Sequence, residues 1–180
     1  MDTMQYTHLY RSPLGTITLA ADSEGLTGLW FEGQKYFAAT LDAQHEETML
    51  PIFEQTRRWL DNYFGGNDPG PTPPLHLQGS PFRLAVWEIL RQIPFGKTIT
   101  YGEIARAIAR RQGSKTVPAQ AVGGAVGHNP VSIIVPCHRV VGSNGSLTGY
   151  AGGIERKVRL LALEKADMTG LFAPQKGTAL

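Results

Sequence analysis

The segment from Gly65 to Pro81 limits the possible folds more than any other part of the chain. It contains five prolines and four glycines. Proline removes a backbone donor and both residue types weaken regular structure, so neither a long helix nor a central strand fits here. We therefore predict that the 180 residues form two domains, 1–79 including this linker and 80–180.

The two halves carry opposite charge. Residues 1–79 contain 4 Lys+Arg against 10 Asp+Glu, a balance of −6, and residues 80–165 contain 12 against 4, a balance of +8. A basic domain favours an anionic partner such as nucleic acid, and the acidic half would then face away from it. Charges that merely solvate two surfaces explain the numbers equally well, so composition leaves both interpretations open.

The first domain has the pattern of a sheet covered by a helix. The stretch "YTHLYRSPLGTITLAADSEGLTGLWF" alternates polar and apolar residues and is interrupted by "SPLG" and "DSEG", which predicts three antiparallel strands. Residues at helical spacing follow and predict one amphipathic helix: Met49, Ile52, Phe53, Thr56, Trp59, Leu60 and Tyr63.

The second domain begins with helix-start signals. Ser80 can cap a helix that has Pro81 at its first position, and the predicted buried stripe is Phe82, Val86, Ile89, Leu90 and Ile93. Thr100 and Glu103 have the spacing of a capping box and predict a second helix.

A third helix is predicted after the break at residues 110–115 and begins near residues 116–118. Two helices joined by a glycine-bearing turn are a candidate helix-turn-helix, although this feature alone favours two packed helices without nucleic acid. Small residues on the third helix allow close approach of either a nucleic-acid backbone or a neighbouring helix, and both remain open: Ala119, Ala121, Gly123, Gly124, Ala125 and Gly127.

The chain's single cysteine, Cys137, follows "VSIIVP", a predicted short buried strand, and precedes His138 and Arg139. A thiol is a nucleophile only when ionised, and we expect these neighbours and nearby amides to lower its pKa. A small buried hydrophobe is the alternative, but it does not explain two adjacent polar side chains.

A lone thiol favours a reducing compartment. Because the first residues lack signal-peptide features and no apolar run approaches the ~20 residues of a membrane helix, we expect a cytoplasmic protein without a membrane partner.

The segment "NPVSIIVPCHRVVGSNGSLTGYAGG", residues 129–153, resembles the active-site segment of the O6-alkylguanine-DNA alkyltransferases, also called methylated-DNA–protein-cysteine methyltransferases. The resemblance extends over about residues 80–164, and the first half is similar only in general pattern. It implies an α/β protein with an N-terminal RNase H-like antiparallel sheet and helix, and a C-terminal helical domain with a helix-turn-helix. It also implies stoichiometric transfer of a methyl or alkyl group from O6 of guanine, and from O4 of thymine, to one cysteine, which consumes the protein.

The resemblance assigns roles to five residues. Cys137 would accept the alkyl group, and His138 with Glu164 would relay the thiol proton through water. Tyr101 would offer a proton to the departing guanine. Asn129 would bridge the helix-turn-helix and the active-site turn.

The resemblance also implies two binding sets. The substrate pocket would be lined by Val140, Tyr150, Ala151, Gly152 and Ser132. Minor-groove binding with nucleotide flipping would use Gln120, Ala119, Ala121, Gly123, Gly124, Arg139 and Lys115.

Two departures from the family pattern affect DNA binding. Gln120 stands where the family has an arginine that fills the place of the flipped base, so we expect looser binding or slower extrusion. The turn "ARRQGSKTVPA" is also longer than usual. Its cations, including Lys115, would either supply compensating phosphate contacts or lie on a mobile loop.

The expected partner is double-stranded DNA containing O6-alkylguanine, bound by a monomer, with cooperative binding left open. We expect no cofactor. His8, His45 and His76 fall outside the family pattern and are predicted to be surface or loop residues. His128 has no cysteine or carboxylate cluster around it at ligand spacing, so we expect no metal. Residues 166–180 are predicted to form a mobile tail.

Three other functions compete with repair. Proteins that bind the lesion without repairing it lack the reactive cysteine. The other two candidates are a helix-turn-helix regulator without chemistry and a cysteine hydrolase. Small residues near Thr148 and Ala151 would admit larger adducts, but the sequence does not fix the adduct size.

Overall fold

A computed structural model describes residues 4–174 of the chain. The chain forms two compact units. The first contains the residues up to 78 together with 130–134, and the second contains residues 79–129 and those from 135 onward. The sequence prediction of a single boundary after residue 79 did not include the return of 130–134 to the first unit.

The first unit contains a four-stranded sheet. Its strands are Gln5–Ser12 (β1), Gly15–Ala21 (β2), Leu26–Phe31 (β3) and His45–Glu47 (β4), in the order β3-β2-β1-β4. The three predicted antiparallel strands are confirmed. The prediction of an antiparallel sheet is incomplete, because β4 pairs with β1 in parallel. The three residues of β4 are all exposed, so they show no alternation that could have revealed a strand.

One helix, Pro51–Phe64 (α1), packs against β1 of this sheet and confirms the predicted amphipathic helix. The hydroxyl of Tyr10 in β1 donates to Asp61 Oδ1 of the helix at 2.6 Å. The His8 ring stacks on the Phe53 ring, with 5.9 Å between the ring centres. The helix buries Phe53, Thr56, Leu60 and Tyr63. Met49 lies before the helix and is exposed.

The edge of β3 is covered by two irregular segments. Leu26 exchanges backbone hydrogen bonds with Pro74 and His76, and Leu29 does so with Pro130 and Ser132. These pairings occupy backbone groups that an edge strand would otherwise leave exposed. The predicted buried strand over residues 131–135 is wrong, since only Val131 forms a bridge and the chain then turns.

The second unit is mainly helical. Its helices are Pro81–Arg91 (α2), Tyr101–Gln112 (α3), Ala119–Gly127 (α4) and Ile154–Leu163 (α5), and a 3-10 turn spans Cys137–Arg139. Two short parallel strands complete it, Ile99–Thr100 (β5) and Val140–Val141 (β6). No helix within residues 4–174 is both long enough and apolar enough to cross a membrane.

The predicted helix starts are confirmed by their hydrogen bonds. Ser80 Oγ accepts from Arg83 N at 3.2 Å. Thr100 Oγ1 accepts from Glu103 N at 3.1 Å, and the Glu103 carboxylate accepts from Thr100 N at 2.8 Å. The indole of Trp87, absent from the predicted stripe of α2, is buried and donates to Ala125 O at 2.8 Å, which joins α2 to α4.

Residues 166–172 differ from the predicted mobile tail. Phe172 N donates to Gly145 O at 3.0 Å, and Leu147 N donates to Phe172 O at 2.9 Å. Met168 and Leu171 pack against a small apolar cluster that includes Leu147. These contacts anchor the segment to the loop after β6, and the predicted tail beyond residue 174 lies outside the described residues.

We expect Thr100→Ala to lower the free energy of unfolding of the second unit by about 1 kcal/mol, because it removes the capping acceptor of α3. Urea unfolding followed by tryptophan fluorescence, to which Trp30, Trp59 and Trp87 contribute, measures the change. Thr116→Ala, at an exposed position before α4, is the matched control and should have no comparable effect. Equal stabilities of the Thr100 variant and the wild type would contradict the capping role.

Candidate active site

Cys137 is held at the start of the 3-10 turn by two local contacts. Its N–H donates to Val135 O at 2.8 Å across Pro136, whose φ of −83° and ψ of 66° form an inverse γ-turn. The same carbonyl accepts from Asn129 Nδ2 at 2.7 Å. The buried amide of Asn129 therefore fixes the backbone that directly precedes the thiol.

A strained turn lies just before this segment, within the first unit. Ile133 has a φ of +70°, and Ile134 N donates to Ser132 O at 2.8 Å. A β-branched residue in this region costs on the order of 1–3 kcal/mol. Ser132 belongs to this turn, is 1% exposed, and is not part of the cluster that surrounds Cys137 within the second unit. Its predicted role in the substrate pocket gains no support from this position.

Glu164, at the end of α5, is the centre of a buried hydrogen-bond network. Its Oε2 lies 2.5 Å from His138 Nε2, and its Oε1 accepts from Arg139 Nε at 2.8 Å and from Gly96 N at 2.9 Å. The side chains of Glu164 and His138 are fully buried. One carboxylate thus joins α5, the 3-10 turn and the loop before β5.

The pKa values of both Glu164 and His138 are lowered, for different physical reasons. Burial alone would raise the pKa of Glu164, but hydrogen bonds and charges of His138 and Arg139 outweigh it and lower the pKa to about 2. Burial lowers the pKa of His138 below its ordinary value, against the opposing effect of Glu164. At neutral pH the carboxylate is ionised and the imidazole is neutral, which is the form that can accept a proton.

The thiol of Cys137 is 3% exposed, and its pKa is raised. Burial is the largest cause, and the hydrogen bond with Asn129 and the charge of Lys157 oppose it. The expectation that Arg139 and His138 lower the thiol pKa overall is therefore wrong. A buried thiol with a raised pKa is protonated at neutral pH, so its reaction requires a base.

Tyr101, the first residue of α3, points its hydroxyl at the loop after β6. The hydroxyl donates to Thr148 O at 3.3 Å. Burial and the proximity of Cys137 raise the pKa of its phenol, so the hydroxyl keeps its proton and can donate it.

Among the predicted pocket residues, Tyr150 lies beside His138. The Tyr150 ring meets the His138 ring edge-on at 6.3 Å. A side chain on Gly152 would come within 2.5 Å of the Tyr150 ring, so glycine is required there. Val140 is buried in β6, and Ala151 is partly exposed between Tyr150 and Gly152.

The predicted DNA contact of Arg139 is wrong. Its guanidinium is 8% exposed and donates to Glu164 and, at 2.7 Å, to Ile93 O. It also lies 5.8 Å from the centre of the Phe95 ring. Arg139 is therefore a structural cation that balances Glu164.

Helix α4 has one packed face and one open face. Gly123 is buried with Val122, Ala125 and Val126, so its predicted DNA contact is wrong and its small size serves helix packing. A side chain on Gly124 would meet no atom within 4 Å. The other predicted contact residues are exposed: Ala119, Gln120, Ala121 and, in the preceding loop, Lys115.

Sequence reasoning missed Lys157, which is fully buried in α5. Its Nζ donates to Val140 O at 2.5 Å and to Thr148 O at 3.3 Å. Burial lowers the Lys157 pKa to about 8, against the opposing effect of Cys137. The available signal was its spacing, because Lys157 shares one helix face with Leu160, Leu161 and Glu164.

His76 makes more side-chain contacts than we expected of a surface or loop residue. Its Nδ1 lies 2.5 Å from Asp22 Oδ2 and its Nε2 lies 2.9 Å from Glu24 Oε2. These three residues could gather around a metal ion, but each ring nitrogen faces a different carboxylate, which is the geometry of ion pairing. The contacts tie the linker to the turn between β2 and β3.

Comparisons with known proteins cover both units. The family model described as 6-O-methylguanine DNA methyltransferase, ribonuclease-like domain, matches residues 5–75, and the DNA binding domain of the same family matches residues 81–166. A methylated-DNA–protein-cysteine methyltransferase of Haemophilus influenzae is 42% identical over 92% of this chain and 88% of that protein. One of Methanosarcina acetivorans is 42% identical over 88% of this chain and 97% of that protein. A crystal structure of Mycobacterium tuberculosis OGT in complex with DNA has a TM-score of 0.77 and 40% identity, covering 93% of this chain and 99% of that one.

We expect Glu164→Gln to destabilise the protein by about 3 kcal/mol at neutral pH, because it leaves the buried Arg139 without a counter-charge. A carboxylate with a lowered pKa stabilises the fold above its ordinary pKa of 4.5, and this contribution is lost as the pH falls towards about 2. The stability difference between wild type and variant should therefore shrink over that range in urea unfolding.

Glu155→Gln removes an exposed carboxylate from the same helix and is the matched control. A difference for Glu164→Gln that does not depend on pH would show that its carboxylate is not the titrating group.

Proposed function

The chain belongs to the methylated-DNA–protein-cysteine methyltransferase family, and from this premise we propose that it repairs DNA by moving an alkyl group from O6 of guanine to Cys137. O4 of alkylated thymine is a second donor in this proposal. The observation that carries it is a buried thiol followed directly by a His138–Glu164 pair at hydrogen-bond distance.

The transfer is a single displacement. The Cys137 sulfur forms a bond with the alkyl carbon while the bond from that carbon to O6 breaks, and guanine leaves with the electron pair and gains a proton. The product thioether has no leaving group that water can displace under mild conditions. Each protein molecule therefore acts once.

His138 is the base of this mechanism. Its Nε2 faces Glu164, so Nδ1 is the ring nitrogen that receives the thiol proton through a water molecule. Glu164 fixes the ring orientation and stabilises the imidazolium that forms. Asn129 supports the same step, because it holds the carbonyl that precedes Cys137.

Tyr101 is the acid of this mechanism. Its phenol stays protonated because burial raises its pKa, and it supplies a proton to the departing guanine. The leaving group then carries less negative charge, which lowers the barrier to displacement.

DNA binding is assigned to the exposed face of α4 and the loop before it. Ala119 and Ala121 are exposed and Gly124 is partly exposed, so their small size allows this face to approach the minor groove, and Lys115 supplies a phosphate contact. O6 lies inside the duplex, so the nucleotide must be flipped out at a cost of a few kcal/mol. The relative in complex with DNA supports DNA as the partner.

A DNA-binding regulator without chemistry would not need the buried His138–Glu164 pair. A cysteine hydrolase would release its product and act again.

We further propose that the protein is a monomer in the cytoplasm, where a lone thiol stays reduced.

The proposed function predicts one methyl group for each protein molecule. After incubation with an excess of duplex containing O6-methylguanine, mass spectrometry should find a single methyl group on the peptide that contains Cys137, with no further demethylation of the DNA. Cys137→Ser should leave the duplex methylated. Repeated turnover by the wild type, or methylation of the Cys137→Ser variant, would contradict the proposal.

The presence of Gln120 in place of the family's arginine leads to a second prediction. Gln120→Arg should raise the single-turnover rate by about tenfold, corresponding to ~1.4 kcal/mol, because a longer cationic side chain better fills the place of the flipped nucleotide. Gln112→Arg, exposed at the end of α3, adds the same charge without access to that place. Both variants should bind DNA with a steeper salt dependence, by about one unit of slope. Equal rates for the two variants would mean that charge alone, and not a wedge at residue 120, limits the reaction.

A further inference from the structure

A groove lies between α3 and the loop before α4, and none of its lining residues belongs to the cluster around Cys137. Its volume is about 230 Å³. Pockets that enclose a complete small-molecule ligand have volumes of ~300–1,000 Å³, so this groove suits one small group of a larger molecule. Its walls are formed by Gly102, Ala105, Arg106, Ala109, Lys115, Thr116 and Val117.

The spacing of small residues in α3 creates this groove. Four of the lining residues are three or four positions apart and therefore share one face of the helix: Gly102, Ala105, Arg106 and Ala109. Three of them have no side chain or only a methyl group, so they leave a hollow, and Arg106 is the one long side chain. The opposite face of the same helix is filled by the larger Ile104 and Ile108, which are buried. The hollow is therefore encoded in the sequence of α3.

The guanidinium of Arg106 lies back along the first turn of α3. A side-chain carbon placed on Gly102 would come within 3.4 Å of Arg106 Nη1 and 3.5 Å of Ser143 Oγ. The cation thus lies near the N-terminal end of the helix, where the helix dipole also favours negative charge.

The two cations of the groove have no acidic partner. Among residues 4–174, Arg106 and Lys115 form no salt bridge, and both are exposed. The nearby acids are engaged elsewhere, because Glu103 caps α3 and Glu88 pairs with Arg111 at 3.3 Å. Two like charges therefore line one hollow without compensation, which favours an anionic group there.

The turn between α3 and α4 forms the second wall of the groove. Helix α3 ends with Gly113 in the left-handed conformation, at a φ of +67°, and α4 begins at Ala119. The loop between them places Lys115, Thr116 and Val117 opposite the small residues of α3. The turn that is longer here than in the family pattern therefore builds part of the groove.

The backbone of DNA matches this combination of charge and apolar surface. Guanidinium and ammonium groups both bind phosphate oxygens, and the Thr116 hydroxyl is a further donor. Ala105, Ala109 and Val117 supply an apolar floor against which a deoxyribose ring can pack. The loop runs directly into α4, so a backbone held here would continue along the face of α4 that is assigned to DNA.

We propose that this groove holds one sugar-phosphate unit of the DNA backbone, with Arg106 and Lys115 as the ligands of its phosphate. The inference rests on the proposed function for the identity of the partner, and it deepens it by naming an anchor for the duplex. The groove supplies cationic contacts that offset the uncharged Gln120. Because phosphate contacts carry no information on the base, the anchor holds damaged and undamaged DNA alike.

The test is binding of an undamaged duplex, measured by fluorescence anisotropy over a series of salt concentrations. Arg106→Met should weaken binding about tenfold near physiological salt and reduce the salt slope by about one unit, because one phosphate contact is lost. Arg111→Met is the matched control, since it removes an arginine of the same helix that already pairs with Glu88, and both of its effects should be clearly smaller. Equal effects of the two variants would overturn the proposal, because they would show diffuse attraction instead of a groove.

A second pair of variants tests the hollow without changing the charge. Ala105→Leu fills the groove and should weaken binding of the same duplex about fivefold, because the backbone no longer reaches the cations. Ala107→Leu makes the same change at a position of α3 that does not line the groove and should keep the wild-type affinity. A folded Ala105→Leu variant with wild-type affinity would overturn the proposal.

The two pairs of variants are independent of each other and of the chemistry. Arg106 is exposed, so Arg106→Met decides the question where Ala105→Leu does not fold. Failure of the wild type to take a methyl group from DNA would reject the proposed function, but the affinities for undamaged duplex would still test the groove.

Discussion

The second unit depends on one buried carboxylate, that of Glu164. It accepts hydrogen bonds from Arg139 and Gly96, and its other oxygen pairs with His138. Arg139 cannot lose its charge, so an anion must be buried with it. Because the same anion orients the imidazole, the interaction that stabilises this part of the fold also prepares the base of the proposed mechanism. Stability and reactivity are therefore linked through a single side chain.

In the proposed mechanism, the nucleophile Cys137 and the base His138 are both neutral at rest. Burial raises the pKa of Cys137 and lowers that of His138, so proton transfer between them creates two charges in a buried site. Glu164 is placed to stabilise the resulting imidazolium cation. A protein that can react only once benefits from such restraint, because a permanently ionised thiol would be consumed by other electrophiles.

The sequence predictions that the structure confirmed rest on patterns within short stretches of the chain. The capping box at Thr100, the helix after residue 50 and the alternation of the first three strands are each encoded within a few residues. Other features depend on partners distant in sequence. Arg139 looks like a DNA contact until Glu164, 25 residues away, is seen to bind it. Residues 166–172 look mobile until their partners near Gly145 are known. The family signature pointed to Cys137 and His138, whose catalytic roles stay predictions, whereas Lys157 became apparent only from its burial.

The return of residues 130–134 to the first unit has a practical consequence for dissecting the protein. Leu29 in β3 donates a backbone hydrogen bond to Pro130 O and accepts one from Ser132 N, and this segment lies shortly before Cys137 in sequence. A gene fragment that stops at the proline-rich linker would leave that peptide group exposed on an open sheet edge, which is a known route to self-association. The N-terminal half is therefore better isolated as a discontinuous piece, with the five returning residues fused behind the linker.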